Sequence, residues 1–165
     1  MFPVGSKIVH PMHGAGVIRK IEEKKILGEV KKYYILELPC NDINVMLPVE
    51  SEQSVGIRSI VSREVALEAV TVLRQESTAM DRNWNRRYRD NMDKLKAGDI
   101  FKVAEVVRNL MRTGRDKGLS AGETKMLHNA KQILISELIL ACGFSEEEAE
   151  KLIEETVYIF GPMRF

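Results

Sequence analysis

The feature that most constrains this chain is a change in the spacing of its apolar residues near Ser62. Before it, polar and apolar side chains alternate in short runs between Gly, Pro and Asn, a period of two that predicts β-strands. After it, apolar residues recur every three or four positions, which predicts amphipathic helices. The expected fold class is α+β in two domains, with residues 1–60 forming a small five-stranded β domain and residues 61–165 an all-α helical bundle.

Five strands are predicted in the first domain, over residues 7–10, 16–25, 29–38, 43–47 and 55–60. The second and third are separated by Leu27-Gly28, which is typical of a tight hairpin because glycine accepts a positive φ. Five short strands with short connections predict a small barrel or sandwich.

The first three helices are predicted from apolar periodicity and from residues that begin helices. The first follows Ser62, whose hydroxyl can accept a free backbone N–H. A polar linker over residues 75–81 separates it from helices over about 83–96 and 99–113.

The last two helices are predicted from capping boxes, in which Ser and Glu satisfy each other's free backbone N–H groups. Ser120-Ala121-Gly122-Glu123 begins a helix that is expected to extend to about residue 141. Ser145-Glu146-Glu147-Glu148 begins another over residues 146–158, and residues 161–165 are expected to be a loose tail.

The charges are segregated along the chain, although the net charge is only +1. Residues 82–117 hold 11 Lys and Arg against 5 Asp and Glu, and residues 118–165 hold 4 against 8. A localised basic segment attracts phosphates through Coulomb steering and counterion release. The helical domain is therefore expected to bind DNA.

Composition places the chain in a broad class. It is 44% hydrophobic, enough for a packed core, and it lacks both a signal peptide and an apolar run of the roughly 18 residues that a membrane span needs. We expect a cytoplasmic protein with no membrane partner. Cys40 and Cys142 form no CxxC pair, so neither a disulfide framework nor a zinc site is indicated.

The residues that chemistry would require are sparse. His10 and His13 have no acidic or cysteine partner nearby, so a structural pair is favoured over a metal site. Gly14-Ala15-Gly16 lacks the rest of a dinucleotide fingerprint, and the acids of residues 146–150 are typical of a helix start. The chain is predicted not to be an enzyme, with no catalytic residues, metal, cofactor or small-molecule substrate.

The segment over residues 82–91 is different, because it holds the only tryptophan among four arginines. A shared helical face favours a core position for this tryptophan; the face holds Trp84, Tyr88, Met92 and Leu95. The first turn of a helix, however, also lets an aromatic side chain project beyond the bundle and unstack bases. Three arginines would then reach phosphates beside it: Arg86, Arg87 and Arg89.

Six short segments carry a specific resemblance, and they are spread along the chain: Val4-Gly5, His10-Pro11-Met12-His13-Gly14, Leu47-Pro48-Val49, residues 83–88, residues 102–110 and residues 118–123. Through them the chain resembles the CarD/CdnL family of bacterial transcription regulators. The N-terminal module of that family is shared with the transcription-repair coupling factor.

The resemblance implies a Tudor-like barrel that binds the β subunit of RNA polymerase and a helical domain that contacts promoter DNA. The contact lies at the upstream edge of the bubble, where the residue matching Trp84 wedges into the minor groove and stabilises the open complex. Positions matching Arg86 and Arg89 contact the DNA backbone, and we extend this expectation to Arg87.

The resemblance also implies a polymerase-binding site at Lys24, Ile26 and Met46. Actinobacterial members carry arginine at the first and third of these positions. Lys24 keeps the charge without the bidentate fork of arginine, and Met46 keeps neither. The contact in this chain is therefore expected to be more apolar or weaker.

The alternative is a free-standing repressor that binds DNA without polymerase. Such a protein usually presents a base-reading helix as a dimer. The sequence has no clear dimerisation stripe, so a monomer without sequence-specific readout is favoured.

Overall fold

A computed structural model describes residues 1–40 and 43–159 of the protein, which excludes the tail predicted over 161–165. Its N-terminal part is one antiparallel sheet with the strand order β4-β3-β2-β1-β5. The strands are β1 (Lys7–His10), β2 (Gly14–Ile26), β3 (Glu29–Glu37), β4 (Asn44–Pro48) and β5 (Arg58–Ser59). One face buries a compact apolar core that consists of Ile8, Ile18, Tyr34, Leu36, Leu47 and Ile57.

The α+β class and the five-stranded sheet are confirmed, but closure into a barrel is not. Among the strands that the structure describes, β4 and β5 are the two edges and do not pair with each other. The hairpin predicted at Leu27-Gly28 is present, with φ values of 52° and 83°. Positive φ at both central residues suits the right-handed twist of the flanking strands.

The fifth strand is much shorter than predicted, because helical turns occupy the residues before it. A 3-10 turn (Val49–Ser51) and the short helix α1 (Glu52–Val55) end at Gly56, whose φ is 84°. This left-handed residue cannot continue an extended strand. The Tyr34 hydroxyl holds α1 against the core by donating a hydrogen bond to Glu52 over 2.7 Å.

The C-terminal part is helical, as predicted. Its helices are α2 (Arg63–Val72), α3 (Trp84–Lys96), α4 (Ile100–Asp116), α5 (Ala121–Cys142) and α6 (Glu146–Tyr158). All five begin at a residue whose side chain accepts a backbone N–H, which satisfies a donor that the helix leaves free; these are Ser62, Asn83, Asp99, Ser120 and Ser145.

Two helix predictions need correction. Helix α4 continues through Gly114 and closes at Gly118, whose φ of 83° ends it. The capping box at Ser145 is complete, but at Ser120 only half of it forms. There the Glu123 backbone N–H bonds to the Ser120 hydroxyl, while the Glu123 carboxylate is bound by Arg87 instead.

The sheet packs directly on α5 through the segment that contains Gly14. The backbone N–H of Ala15 donates to the Ser136 hydroxyl over 2.8 Å. The glycines at 14 and 16 thus serve close packing, since a Cβ at either position would come within 2.7 Å of a neighbouring atom. His10 is structural in the same way, because its Nδ1 accepts the Met12 N–H over 3.0 Å.

A buried ion pair closes the same interface. The Arg58 guanidinium donates two hydrogen bonds of 2.7 Å to the Glu137 carboxylate, whose side chain is only 2% exposed. Arg58 also bonds the Gly98 carbonyl, and the Val61 N–H donates to Glu137 over 3.1 Å. The segment that connects the sheet to the helices is therefore hydrogen-bonded to α5.

Candidate nucleic-acid interface

The position of Trp84 is set by the residues that begin α3. The Asn83 side chain accepts the Arg86 N–H over 3.1 Å, and Asp81 accepts the Asn83 N–H over 2.8 Å. These bonds fix the start of the helix, so Trp84 is its first residue. Its side chain is 42% exposed. The interpretation of Trp84 as a core residue is wrong, although Leu95 at the other end of the same stripe is fully buried.

The indole is exposed but firmly held. Its ring stacks on Tyr88 with the centroids 5.2 Å apart and the planes 22° from parallel. Its Nε1–H donates to the Ser120 hydroxyl over 2.9 Å. The ring also covers Gly122, where a Cβ atom would lie 3.3 Å from the Cζ2 carbon of Trp84. An aromatic ring fixed in this way loses little side-chain entropy when it contacts a ligand.

A surface groove of about 370 Å³ runs from Trp84 along α3. Its lining combines apolar and aromatic side chains with one neutral amide, two cations and one carboxylate: Trp84, Asn85, Tyr88, Arg89, Met92, Asp93 and Lys96. Arg86 and Arg89 are exposed. Neither forms a salt bridge within residues 1–40 and 43–159, so both guanidinium groups are available to an anion.

Arg87 behaves differently from its two neighbours. It forms a bidentate pair with Glu123, with contacts of 2.8 and 3.1 Å. The exposed fractions of these side chains are 21% and 4%. The hydrogen bonds from Arg87 hold the pKa of Glu123 below its ordinary value, and Glu123 in turn raises the pKa of Arg87. The sequence places Arg87 among the exposed cations, but its contacts lie within the protein.

The basic segment of the sequence is less basic on the surface than its composition indicates. Arg108 and Arg112 are 1% and 3% exposed, and they bond backbone carbonyls at the end of α2. Burial lowers the pKa of Arg108. Lys94 pairs with Glu105 at 3.0 Å. The cations that remain exposed on this segment and carry no ion pair in the described residues are Arg82, Arg86, Arg89, Lys96, Lys102 and Lys117.

Three residues of the sheet share the face opposite its core. Lys24 pairs with Lys31, Ile26 with Glu29 and Met46 with Ile35. Directly opposed residues lie on one face, and alternate residues of a strand return to it, so Lys24, Ile26 and Met46 are on the same side. Ile26 and Met46 are 45% and 39% exposed, so this face presents two apolar side chains to a partner.

Comparison with known proteins accounts for both parts of the chain. Residues 2–61 match the family model described as the CarD-like/TRCF RID domain, and residues 68–154 match the model for the CarD C-terminal domain. The chain belongs to the CarD/CdnL family. It is 40% identical over 148 residues to a Bacillus subtilis protein named "Putative transcription factor YdeB". The alignment covers 90% of this chain and 97% of that protein. CarD/CdnL membership and this relative support a role in transcription.

Three residues of the site in this CarD/CdnL chain are not predicted from the sequence: Ser120, Gly122 and Glu123. The spacing of Ser120 and Glu123 is visible in the sequence, but it indicates only a local capping box. The cross-helix partners Trp84 and Arg87 lie 36 residues away, and local spacing carries no information about contacts at that separation.

Within residues 1–40 and 43–159 of this CarD/CdnL chain, no three His, Cys, Asp or Glu side chains are grouped so that they could hold a metal ion. None of the described helices has the length and hydropathy that crossing a membrane requires.

Proposed function

We propose that this CarD/CdnL protein regulates transcription by holding RNA polymerase with its sheet and promoter DNA with its helices. Residues 1–60 form the polymerase-binding domain, and Lys24, Ile26 and Met46 contact the β subunit. Residues 61–165 form the DNA-binding domain, which contacts the duplex at the upstream edge of the bubble. The protein acts by binding rather than catalysis and stabilises the open complex.

The observation that carries this proposal is the exposed ring of Trp84 at the start of α3, close in sequence to Arg86 and Arg89, which form no ion pair within the described residues. An apolar ring inserted at a base step costs a few kcal/mol of unstacking, which extra contacts to the bent duplex repay. Guanidinium groups beside it neutralise phosphates and release counterions. These contacts read the shape and deformability of DNA rather than its sequence.

The small number of available cations explains why a second binding site is needed. Two buried arginines and three paired cations are withdrawn from the basic segment, so the affinity for DNA alone is modest. Binding to polymerase raises the effective concentration of the helical domain at the promoter. A weak contact then becomes sufficient, because the second binding event is intramolecular.

A footprint of polymerase on a promoter fragment, with and without the full-length protein, tests the proposal. We expect added protection at the upstream edge of the bubble only when polymerase is present. Protection of the duplex by this protein alone, at the same concentration, would support the free-standing repressor instead.

The polymerase contact has its own test with a matched control. Met46→Glu places a charge on the sheet face that Lys24 and Ile26 share, and it should abolish capture of the β subunit. Val55→Glu makes the same change at an apolar residue of α1 that is 36% exposed. Equal loss of capture in both variants would count against a site on that face.

A further inference from the structure

The ion pair between Arg87 and Glu123 lies directly behind Trp84, and the proposed DNA contact does not use it. Its two hydrogen bonds measure 2.8 and 3.1 Å. The Glu123 side chain is 4% exposed, so this is an interior pair rather than a surface one. A charge placed inside a small domain at such cost calls for a specific role.

Two further hydrogen bonds from Arg87 also lie within the protein. Its Nη1 donates to the backbone carbonyls of Asp81 and Arg82 over 3.2 and 3.3 Å. A guanidinium group has five N–H donors, so the four bonds to Glu123 and to these carbonyls leave about one free. A phosphate is normally bound through two parallel N–H groups, which Arg87 cannot offer without giving up its partners.

A chain of hydrogen bonds leads from Arg87 to the indole. The Glu123 carboxylate accepts from the Ser120 hydroxyl over 3.1 Å. The same hydroxyl oxygen accepts the Trp84 Nε1–H over 2.9 Å. Because Ser120 donates its one hydroxyl proton to Glu123, its lone pairs are directed toward the donors of Trp84 and of the Glu123 backbone. The carboxylate thereby determines which way the hydroxyl presents an acceptor to the ring.

Gly122 limits how far the six-membered ring of the indole can move toward α5. It lies in α5, and an added Cβ would be 3.3 Å from Trp84 Cζ2 and 3.8 Å from Tyr88 Cε2. The ring is thus bonded at its N–H by Ser120, stacked on Tyr88 and in close approach to Gly122. The orientation of Trp84 depends on residues of α5 as much as on its own helix.

We infer that Arg87 is a positioning residue, which acts through Glu123 and Ser120 to hold the Trp84 indole in the orientation that meets DNA. This inference rests on the proposed function and assigns Arg87 a different role from Arg86 and Arg89. It predicts that α5, and not α3 alone, sets the geometry of the contact.

Replacement of Glu123 distinguishes positioning from phosphate binding, because the two roles predict opposite signs. If Arg87 bound a phosphate, Glu123→Gln would remove a competing anion and strengthen DNA binding. As a positioning residue, Arg87 loses its partner in Glu123→Gln, the indole loosens, and the open-complex lifetime falls. We expect a fall of roughly three- to tenfold, a part of the about 5- to 150-fold that one base–aromatic stack represents.

The orientation itself can be measured on the free full-length protein. The chain has one tryptophan, so its indole N–H gives a single cross-peak in a ¹H–¹⁵N spectrum. We expect Glu123→Gln and Ser120→Gly to shift that peak, and the control Arg89→Gln to leave it in place. Glycine is tolerated at a helix N-cap, so Ser120→Gly removes the acceptor with little loss of helix stability. An unmoved peak in both variants would overturn the inference.

Gly122→Ala tests the same inference without removing a charged or hydrogen-bonding side chain. Alanine favours the helix over glycine, so the variant should melt no lower than the parent protein. Its methyl group should nevertheless displace the ring, shift the indole cross-peak and shorten the open-complex lifetime. Retention of both the peak and the lifetime would contradict the positioning role.

The open-complex lifetimes of two variants distinguish failure of the proposed function from failure of the inference about Arg87. If Trp84→Ala leaves the open-complex lifetime unchanged, the proposed function fails, whatever the spectra show. If Trp84→Ala shortens it while Glu123→Gln lengthens it or leaves it unchanged, the proposed function stands and the inference about Arg87 fails.

Discussion

Gly14 lies so close to Ser136 that a Cβ atom at residue 14 would come within 2.6 Å of the Ser136 hydroxyl oxygen. The backbone of α5 is also near, with the Ile133 Cα at 3.2 Å from the same point. The sheet and the helices can approach this closely only because residue 14 has no side chain. The contact joins the two parts of the chain.

Gly14→Ala should destabilise the protein by more than Gly5→Ala, by about 1–3 kcal/mol, because overpacking adds to the backbone strain. The two glycines make a matched pair. Their φ values are 90° and 92°, but a Cβ at Gly5 would meet nothing within 4 Å. Urea unfolding of both variants measures the difference. Equal losses would mean that the close approach to α5 contributes nothing.

The Arg58–Glu137 pair should show strong coupling in a double-mutant cycle. Arg58→Met leaves the Glu137 carboxylate buried without its partner, which costs about 3–5 kcal/mol. Adding Glu137→Leu removes that stranded charge and should restore part of the loss, so that the double variant is more stable than additivity predicts. Free energies of unfolding from denaturant titrations provide the check, and simple additivity would argue against a coupled pair.

Trp84→Ala should shorten the open-complex lifetime while leaving the fold intact. With the indole 42% exposed, we expect a loss of less than about 3 kcal/mol of stability, below the range for buried aromatic side chains. A circular-dichroism melt and a competitor challenge of open complexes measure the two effects. Trp84→Phe is the control, since it keeps a ring on Tyr88 but loses the N–H that Ser120 accepts.

Arg86→Gln and Arg89→Gln should each weaken the promoter contact and lower its salt dependence. Each phosphate contact that is lost reduces the slope of log K against log salt by about one. Lys151 on α6 is 76% exposed, and Lys151→Gln serves as the control for a general change in charge. Titrations of polymerase–promoter complexes over a salt series provide the slopes, and three identical slopes would remove these arginines from the interface.

The stability of the protein should fall as the pH drops below about 6.5, through His10. Burial, and then the charge of His13, lower the pKa of His10 to about 4. The unfolded chain, with a pKa near 6.5, therefore takes up this proton first, and stability present above that pH is lost as the pH falls toward 4. Between pH 6.5 and 5.5 the loss should be about 1 kcal/mol.

His10→Asn provides the control for that pH dependence. Its side-chain oxygen can replace Nδ1 as the acceptor for the Met12 N–H, but it does not titrate. Urea unfolding at the two pH values should show a smaller difference for the variant than for the parent. A difference that persists unchanged would assign the effect to another group.

Local rules recovered most elements of the fold. The N-caps at Ser62, Asn83 and Asp99 place three helix starts within one residue, because capping depends only on neighbours in the chain. The fifth strand failed for the opposite reason. The helical turn that takes in its first predicted residue, Val55, is held by Tyr34, a residue of β3 that lies 18 positions from Glu52.

The candidate site was predictable only in part. The place of Trp84 in the first turn of α3 is predictable from the sequence, but its apolar stripe favours a buried ring rather than the exposed one observed. The contacts that the arginines make do not follow from the sequence. Arg86, Arg87, Arg108 and Arg112 are all the same type of residue. Whether a guanidinium faces water, a carboxylate or a row of backbone carbonyls depends on which helix ends pack beside it.

Hydrogen bonds from Arg58 and Val61 to Glu137 hold the junction of sheet and helices against α5. Under the proposed function, the molecule then holds polymerase and the duplex at a fixed distance from each other. A change of one base pair in spacing moves the contacted groove by about 3.4 Å along the DNA axis and also rotates it around that axis. A protein of fixed shape cannot adapt to this change. Promoters would be sorted by the spacing and phase of their upstream DNA, with no base recognised.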